Sequence, residues 1–258
     1  ILAEEGYKEI VLTGIHLTSY GIDFKDEGID FLTLIRRLHE IDGIERIRFG
    51  SLEPRVITEE FASELSRLPK ICPHFHLSLQ SGCDETLKRM NRHYTTEDYA
   101  HRCEILRKYF ENPAITTDVI VGFPGETEEE FTELAEFVKD IEFERLGCFA
   151  YSQEEGTPAA LLPDQIDDEV KNHRAEIIME SQMNIMDRLG EKQVGGDITV
   201  LTEGFDRYAE CWFGRSAMDA PDIDGKVFFS AETKPYYGEM VTVHVDEAID
   251  GDLFGTRV

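Results

Sequence analysis

The sequence predicts an α/β domain built on a parallel sheet and followed by a small all-β barrel, and three observations carry that reading. Between Glu9 and Ser152, five short β-rich runs alternate with helical runs, each pair separated by turn residues, which is the pattern of a βα repeat. From Asp167 to Gln193 the pattern becomes one long helical stretch. After Gly195 it changes again, to short alternating runs divided by Gly, Asp and Pro, the signature of a small closed antiparallel barrel.

The predicted strands are "EIVLTG" (9–14), "RIRFGS" (46–51), "HFHLSLQ" (74–80), "ITTDVIVG" (115–122) and "RLGCFAYS" (145–152). Strands separated by helices in this order make a parallel sheet. Strand length and order fit a barrel or an open doubly wound sheet equally, and in both the ligands gather at the C-terminal ends of the strands. Helix starts are marked by Thr127 with Glu130, a capping box, and by Thr58 and Thr96 before acidic first turns. In the long helix, Val170, Ile177, Ile178, Ile185 and Leu189 form an apolar stripe, widened by Met179, Met183 and Met186, that is expected to pack on the sheet domain. Later strands are "DITVLTEG", "YAECWFG", "KVFFS", "MVTVHVDEA" and "LFGTRV". The expected division is residues 1–166 for the α/β domain, 167–194 for the connecting helix and 195–258 for the second barrel.

Composition narrows the function classes. The 258 residues, 41% of them hydrophobic, suffice for one large domain and a small one. No apolar run approaches the ~20 residues that cross a bilayer, and no signal-peptide pattern opens the chain, so no membrane partner and a cytoplasmic location are expected. Five scattered cysteines form neither CxxC nor CxxxCxxC and fit a reducing compartment. The first residues, "ILAEEG", look like the inside of a helix, and the chain reads as a fragment. Net charge is −27, with 17 basic and 30 acidic side chains in residues 1–150 and 9 and 23 in the remainder. That balance disfavours a general polyanion binder, because Lys and Arg neutralisation of phosphates dominates nucleic-acid affinity.

The segment "CPHFHLSLQSGC" (72–83) carries two His and two Cys. Strand alternation puts Cys72, His74, His76, Ser78 and Gln80 on one face and Phe75, Leu77 and Leu79 on the other. The apolar face packs under helices, and the polar face lines a ligand chamber. His-x-His on a barrel strand also suits a zinc hydrolase, but the other strand ends offer only His16, Glu53 and Asp118, too few grouped ligands to complete such a site. Gly82 permits a tight exit, Asp84 can cap the next helix, and Cys83 is a lone thiol with no evident base. In "TTDVIVGFPGETEEEF" (116–131), a strand, a Gly-Phe-Pro-Gly turn and a capped helix follow directly. Such a turn can aim the N–H groups of Gly125 and its neighbours at a carboxylate or ribose, with Glu126 accepting from hydroxyl or amine groups, or it can be a plain sharp βα turn.

The ordered set "VLTGIHLTSYG", "SLEP", "HFHLSLQSGCDETLKRMNRHYT", "TTDVIVGFPGETEEEF" and "YSQEEGTPAA" resembles the radical S-adenosylmethionine (SAM) methylthiotransferases, and the likeness runs from Ile1 to Val258. The resemblance implies a partial (β/α)6 radical SAM barrel, here without its first strand, followed by a small all-β TRAM barrel. It implies SAM as cofactor and two 4Fe-4S clusters in the parent protein, with ligands upstream of Ile1, so no catalytic and no metal-ligating residue is expected in this chain. Carried over by position, Gly122, Pro124, Gly125 and Glu126 correspond to the turn that cradles SAM. Gly14, His16, Gln80, Ser81 and Asp118 lie where chamber residues approach SAM, while His74, His76, Glu53, Tyr151, Gly156 and Thr157 belong to the substrate chamber.

Two substrate classes follow from the resemblance. "VLTGIHLTSYG" and "HFHLSLQSGCDETLKRMNR" resemble the MtaB-type branch, which modifies a threonylcarbamoyl-adenosine beside the tRNA anticodon. "YSQEEGTPAALLPDQI" and "GRSAMDAPDIDGKVFFS" resemble the RimO-type branch, which modifies an aspartate of ribosomal protein twelve of the small subunit. Residues 196–258 carry 5 basic and 13 acidic side chains, and Trp212, Phe213, Phe228 and Phe229 sit among Asp and Glu without an aromatic and basic stacking platform. A basic ribosomal protein or the ribosome is therefore the expected partner, with tRNA as the alternative. A noncatalytic binding module is a third reading.

Overall fold

The computed structural model describes the backbone of residues 1–258 and the side chains of all but residues 25–27. Five parallel strands come first: β1 (Glu9–Leu12), β2 (Arg46–Phe49), β3 (His74–His76), β4 (Ala114–Val121) and β5 (Arg145–Ala150). β1 pairs with β2, and β3, β4 and β5 form a second ladder. Single bridges at Ile47–Ile71 and Leu52–Leu77 join the two into one curved wall. Alternate residues face outward to a common core: Ile47, Phe49, Phe75, Leu77, Leu79, Ile115, Val119 and Val121 are all buried there. The helices α1 (Phe31–His39), α2 (Glu59–Leu65), α3 (Asp84–Arg89), α4 (Thr96–Tyr109) and α5 (Glu128–Ile141) connect the strands.

Local chemistry sets the helix starts. Thr58 caps α2, and α5 opens with the expected box, in which Thr127 and Glu130 satisfy one another's backbone N–H groups. The cap of α4 is Thr95 rather than Thr96, because Asp98, three residues on, closes the box with Thr95. Asp84 does not cap α3. It is that helix's first residue, and its carboxylate accepts instead from the Thr96 N–H, tying α3 to the start of α4.

α6 (Asp168–Glu191) packs on the α/β domain as expected but buries only part of the predicted stripe, Ile178 and Ile185 with Leu189 beside them. Ile178 and Ile185 face inward, but Val170, Ile177, Met179 and Met183 are exposed, and the buried positions beside the two isoleucines are Lys171, Arg174 and Gln182. The reason is what α6 packs against. Its inner face meets backbone carbonyls and a buried carboxylate, which need donors: Gln182 donates to Phe143 O at 2.8 Å, and Lys171 donates to Tyr151 O at 3.1 Å.

The last five strands close a barrel: β6 (Asp197–Asp206), β7 (Cys211–Arg215), β8 (Val227–Ser230), β9 (Met240–Ile249) and β10 (Asp252–Arg257), in the order β10-β8-β7-β6-β9. The barrel is not wholly antiparallel, since β10 runs parallel to β8 at the closing seam. Its own core is Val200, Trp212, Val227, Phe229, Val241 and Val243. Among the described residues no helix is long and apolar enough to cross a membrane.

Candidate functional site

The inward face of the strand wall is polar and divides into two layers. At the strand starts lies a charged floor. Glu9, with a side chain 5% exposed, accepts from Arg48 Nε at 2.8 Å and from Arg215 Nη1 of the second barrel at 3.1 Å. Arg46 donates to Arg215 O and Thr199 O, both at 2.9 Å. Arg145 donates to Gly251 O at 3.0 Å. Each of these α/β residues opens its strand except Arg48, so the second barrel is docked on the N-terminal ends of the strands. Its partners lie 106 to 206 residues away in the chain, and no local pattern marks them in the sequence.

His74 belongs to this floor, not to the substrate chamber. Only 3% exposed, it donates from Nε2 to Asp224 Oδ2 of the second barrel at 3.0 Å, because β3 starts at His74 and turns that side chain toward the docked domain. His76, two residues further, stays in the upper layer. Its Nδ1 lies 3.0 Å from Thr116 Oγ1 and its Nε2 is 3.6 Å from Asp118 Oδ2. Burial pushes the His76 pKa below its ordinary value against the opposing pull of Asp118, which keeps the imidazole neutral near pH 7. Among the described residues no group of three or more His, Cys, Asp or Glu side chains is placed to hold a metal ion.

The upper layer opens at the C-terminal ends of the strands. Asp118 is half exposed there, beside Gly147, where a Cβ would press on the Asp118 carboxylate. Phe149 is 57% exposed on β5, in register with Ile120. Gln80 has φ +74°, a left-handed conformation rare outside glycine, held by its N–H to Asp118 O and its carbonyl to the Ile120 N–H. At the exits of β1 and β2, His16 Nδ1 lies 2.9 Å from Glu53, and Arg55 with His16 holds the Glu53 pKa below the usual range. Gly14 is close by, with its Cβ position over Leu17. This mouth therefore combines an apolar wall, a free carboxylate and a neutral imidazole, a set that fits the base and ribose of a nucleoside.

Several other predicted site residues are used within the fold. Ser81 is 1% exposed and its Oγ accepts from the Cys83 N–H, bracing the strand exit. Thr157 caps the short 3-10 turn at 158–161, donating to Glu154 O and accepting from the Ala160 N–H, and Gly156 supplies the φ of +83° before it. Tyr151 packs edge-on against Phe123 with its hydroxyl buried.

The Gly-Phe-Pro-Gly turn is also closed on itself. The Gly122 N–H donates to Glu126 Oε1 at 2.8 Å, the Gly125 N–H to Asp164 O at 2.9 Å and the Glu126 N–H to Phe123 O at 2.9 Å. Those amides are not free to cradle an anion, because α6 and the segment before it lie across the turn. The Glu126 side chain, 1% exposed, is paired with Arg174 at 2.8 Å and does not reach out to a ligand. Burial raises the Glu126 pKa more than the Gly122 N–H and Arg174 lower it. What the turn offers a ligand is its backbone shape rather than its donors.

Three of the thiols, Cys72, Cys83 and Cys103, are buried, and Cys148 and Cys211 are partly buried. Burial pushes Cys72 to about 11 and Cys103 and Cys148 to about 12, and Cys83 is shifted upward. All five cysteines are free and dispersed, and they do not fit an iron–sulfur cluster.

The second barrel holds an aromatic group around Trp212, which is itself only 8% exposed and part of the barrel core. Phe205 and Trp212 are 5.0 Å apart edge-on, Tyr237 is 6.4 Å from Trp212, and Lys234 Nζ lies 5.8 Å from the Trp212 ring. Phe205 and Tyr237 come from β6 and a loop before β9, so only folding reveals the cluster.

Comparison with known proteins places these features in context. The Radical SAM superfamily matches residues 1–138, and the TRAM domain matches residues 194–258. The chain is 40% identical over 261 residues to the ribosomal protein uS12 methylthiotransferase RimO of Clostridium acetobutylicum, covering 98% of this chain and 56% of that protein. Against RimO of Caldicellulosiruptor saccharolyticus the identity is 42% over 254 residues, covering 98% and 57%. The tRNA-2-methylthio-N(6)-dimethylallyladenosine synthase of Clostridium novyi is 43% identical over 203 residues, covering 79% of this chain and 45% of that one. The chain thus spans little more than half the length of the RimO proteins it matches.

Proposed function

The chain belongs to the radical SAM methylthiotransferase family, and from that premise we propose that it is the SAM-chamber and TRAM portion of a cytoplasmic enzyme that methylthiolates an aspartate of ribosomal protein uS12. The observation that carries the reading is the continuous likeness to uS12 methylthiotransferases over 98% of the chain, through both the barrel and the closed second domain. The balance of −8 over residues 196–258 supports a basic protein partner over RNA.

In this reading SAM, bound with a 4Fe-4S cluster, supplies the radical chemistry. Among the described residues no ligand set fits an iron–sulfur cluster, and in this reading the full-length protein would supply those ligands from elsewhere. The residues present bind and orient. Ile120 and Phe149 would give the base an apolar wall and Asp118 would accept from ribose hydroxyls, with the neutral His76 imidazole 3.6 Å from its carboxylate. The chain's own role is thus to seat the nucleoside and exclude water from its neighbourhood.

The test is the full-length protein, anaerobically reconstituted and offered uS12 and anticodon stem-loop RNA in parallel, with products read by mass spectrometry. A methylthio group on a uS12 aspartate is the expected product. Modification of the RNA alone, with binding that falls steeply with salt, refutes the substrate assignment.

A further inference from the structure

The most heavily braced part of the molecule outside the barrel floor is the turn at 122–126, and the brace comes from α6. Gly122 has φ +69°, and the place where its Cβ would sit is filled by the Lys171 side chain. Lys171 Nζ then donates to Tyr151 O at 3.1 Å, at the exit of β5. One helical turn on, Arg174 uses both Nη groups on the start of α5: Nη1 to Glu126 Oε1 at 2.8 Å and Glu126 O at 3.2 Å, and Nη2 to Glu128 Oε1 at 2.6 Å. Its guanidinium also lies 5.2 Å from the Phe131 ring centre. Both side chains are about nine-tenths buried or more. Burying two cations is costly unless their partners are fixed; Arg174 has Glu126 of the turn and Glu128, and Lys171 has Tyr151 O and Asp168.

We propose that Arg174 and Lys171 are positioning residues for the nucleoside cofactor: acting from behind the turn, they hold residues 122–126 in the shape that the chamber presents to the adenosyl group. This rests on the reading of the mouth as a SAM site. The fork of Arg174 fixes Glu126, Glu126 fixes the Gly122 N–H, and Lys171 closes the outer side of Gly122. A bidentate, planar partner is required for that geometry, which a lysine at 174 cannot reproduce. Neither cation needs to touch the ligand. Because α6 runs on to the second barrel, where Gly190 abuts Ala248, the turn's shape is set by the same rod that carries the TRAM domain.

The test is equilibrium binding of S-adenosylhomocysteine to the full-length, anaerobically reconstituted protein by calorimetry, beside thermal melting. Arg174→Met and the milder Arg174→Lys are compared with Gln182→Leu, which removes a buried bond of the same helix to Phe143 O, far from the turn. The expected result is a dissociation constant raised about tenfold in Arg174→Met, the usual scale for loss of a supporting residue, with Gln182→Leu unchanged at a comparable loss of melting temperature. Amide hydrogen exchange at Gly122 and Gly125 should accelerate in both Arg174 variants and not in Gln182→Leu. If wild type binds and the Arg174 variants bind as well as Gln182→Leu, the positioning role is overturned while the SAM reading stands. If wild type binds no S-adenosylhomocysteine, the SAM reading fails and the inference falls with it.

Discussion

Replacing Glu9 by Gln tests the docking of the two domains at its most exposed weakness. The Glu9 carboxylate is the acid that Arg48 and Arg215 share, at 2.8 and 3.1 Å, and all three side chains are at most 5% exposed. Glutamine keeps the shape and one acceptor oxygen but removes the charge, leaving buried Arg48 without its counter-ion and Arg215 with Glu203 alone. Breaking a buried pair in this way costs about 3–5 kcal/mol, and at roughly 2–4 °C per kcal/mol for a chain of this size the melting temperature should fall by at least about 6 °C at pH 7. The pH dependence follows from the shift of Glu9. Burial raises its pKa, but Arg48 and Arg215 together outweigh burial and the net shift is below 4.5. A carboxylate with a depressed folded pKa stabilises above its unfolded value and loses that contribution as pH falls through the folded one. The gap between wild type and Glu9→Gln should therefore be full at pH 7 and shrink below pH 4.5. Thermal denaturation across that range, followed by circular dichroism, measures it. A variant that melts within about 1 °C of wild type at pH 7 would mean the floor is hydrated and the pair worth no more than a surface ion pair.

Other consequences are local. Gly122→Ala should lose about 2–4 kcal/mol, since the new methyl group meets Lys171 in a left-handed backbone conformation, and urea unfolding would show it as a lower midpoint at constant slope. Thr127→Ala removes the oxygen that accepts from Glu130 N–H and should cost about 1 kcal/mol; Thr96→Ala, outside the cap, should cost less than half of that. Cys72 and Cys103, pushed to about 11 and about 12, should resist iodoacetamide in the native protein at pH 8 and react at the rate of unfolding. Prompt labelling of either, seen by peptide mass mapping, would contradict their burial.

Where the physics is local, the sequence was readable. The alternation Phe75, Leu77, Leu79 against His74, His76 and Gln80 depends only on strand geometry, and the Thr127–Glu130 box on three residues' spacing, and both appear as expected. Hydrophobic patterning placed only part of α6 correctly, because it assumes a wholly apolar surface beneath the helix. Beneath α6 lie carbonyls and Glu126 as well, so Lys171, Arg174 and Gln182 share the buried face with Ile178 and Ile185, while Val170, Ile177, Met179 and Met183 face out. The same limit applied to the Gly-Phe-Pro-Gly turn. Its glycines marked a sharp turn correctly, but whether its amides point at a ligand or at the protein depends on Asp164 and α6, some 40 and 50 residues downstream in sequence. His74 was misplaced for a related reason: the period of a strand says which side a residue faces, not which end of the barrel is covered.

That last distinction bears on how the two domains cooperate. The mouth lies at the C-terminal ends of the strands, where Asp118, Gln80 and the turn at 122 meet, whereas the TRAM domain is fixed to the N-terminal ends through Glu9, Arg46, His74 and Arg145. Between them runs α6, 24 residues and so about 36 Å long at 1.5 Å per residue. A ligand small enough to enter the chamber cannot touch the aromatic group at Phe205, Trp212 and Tyr237 at the same time. Any substrate that gains affinity from both must span the length of the barrel, which a ribosomal protein or a tRNA does and a free amino acid or nucleoside does not. Under the proposed function, rigid docking would have a meaning: with the floor locked by buried ion pairs, the distance between the second barrel and the chamber would be fixed before a macromolecular partner arrived, and the ordering cost of binding would fall on the substrate.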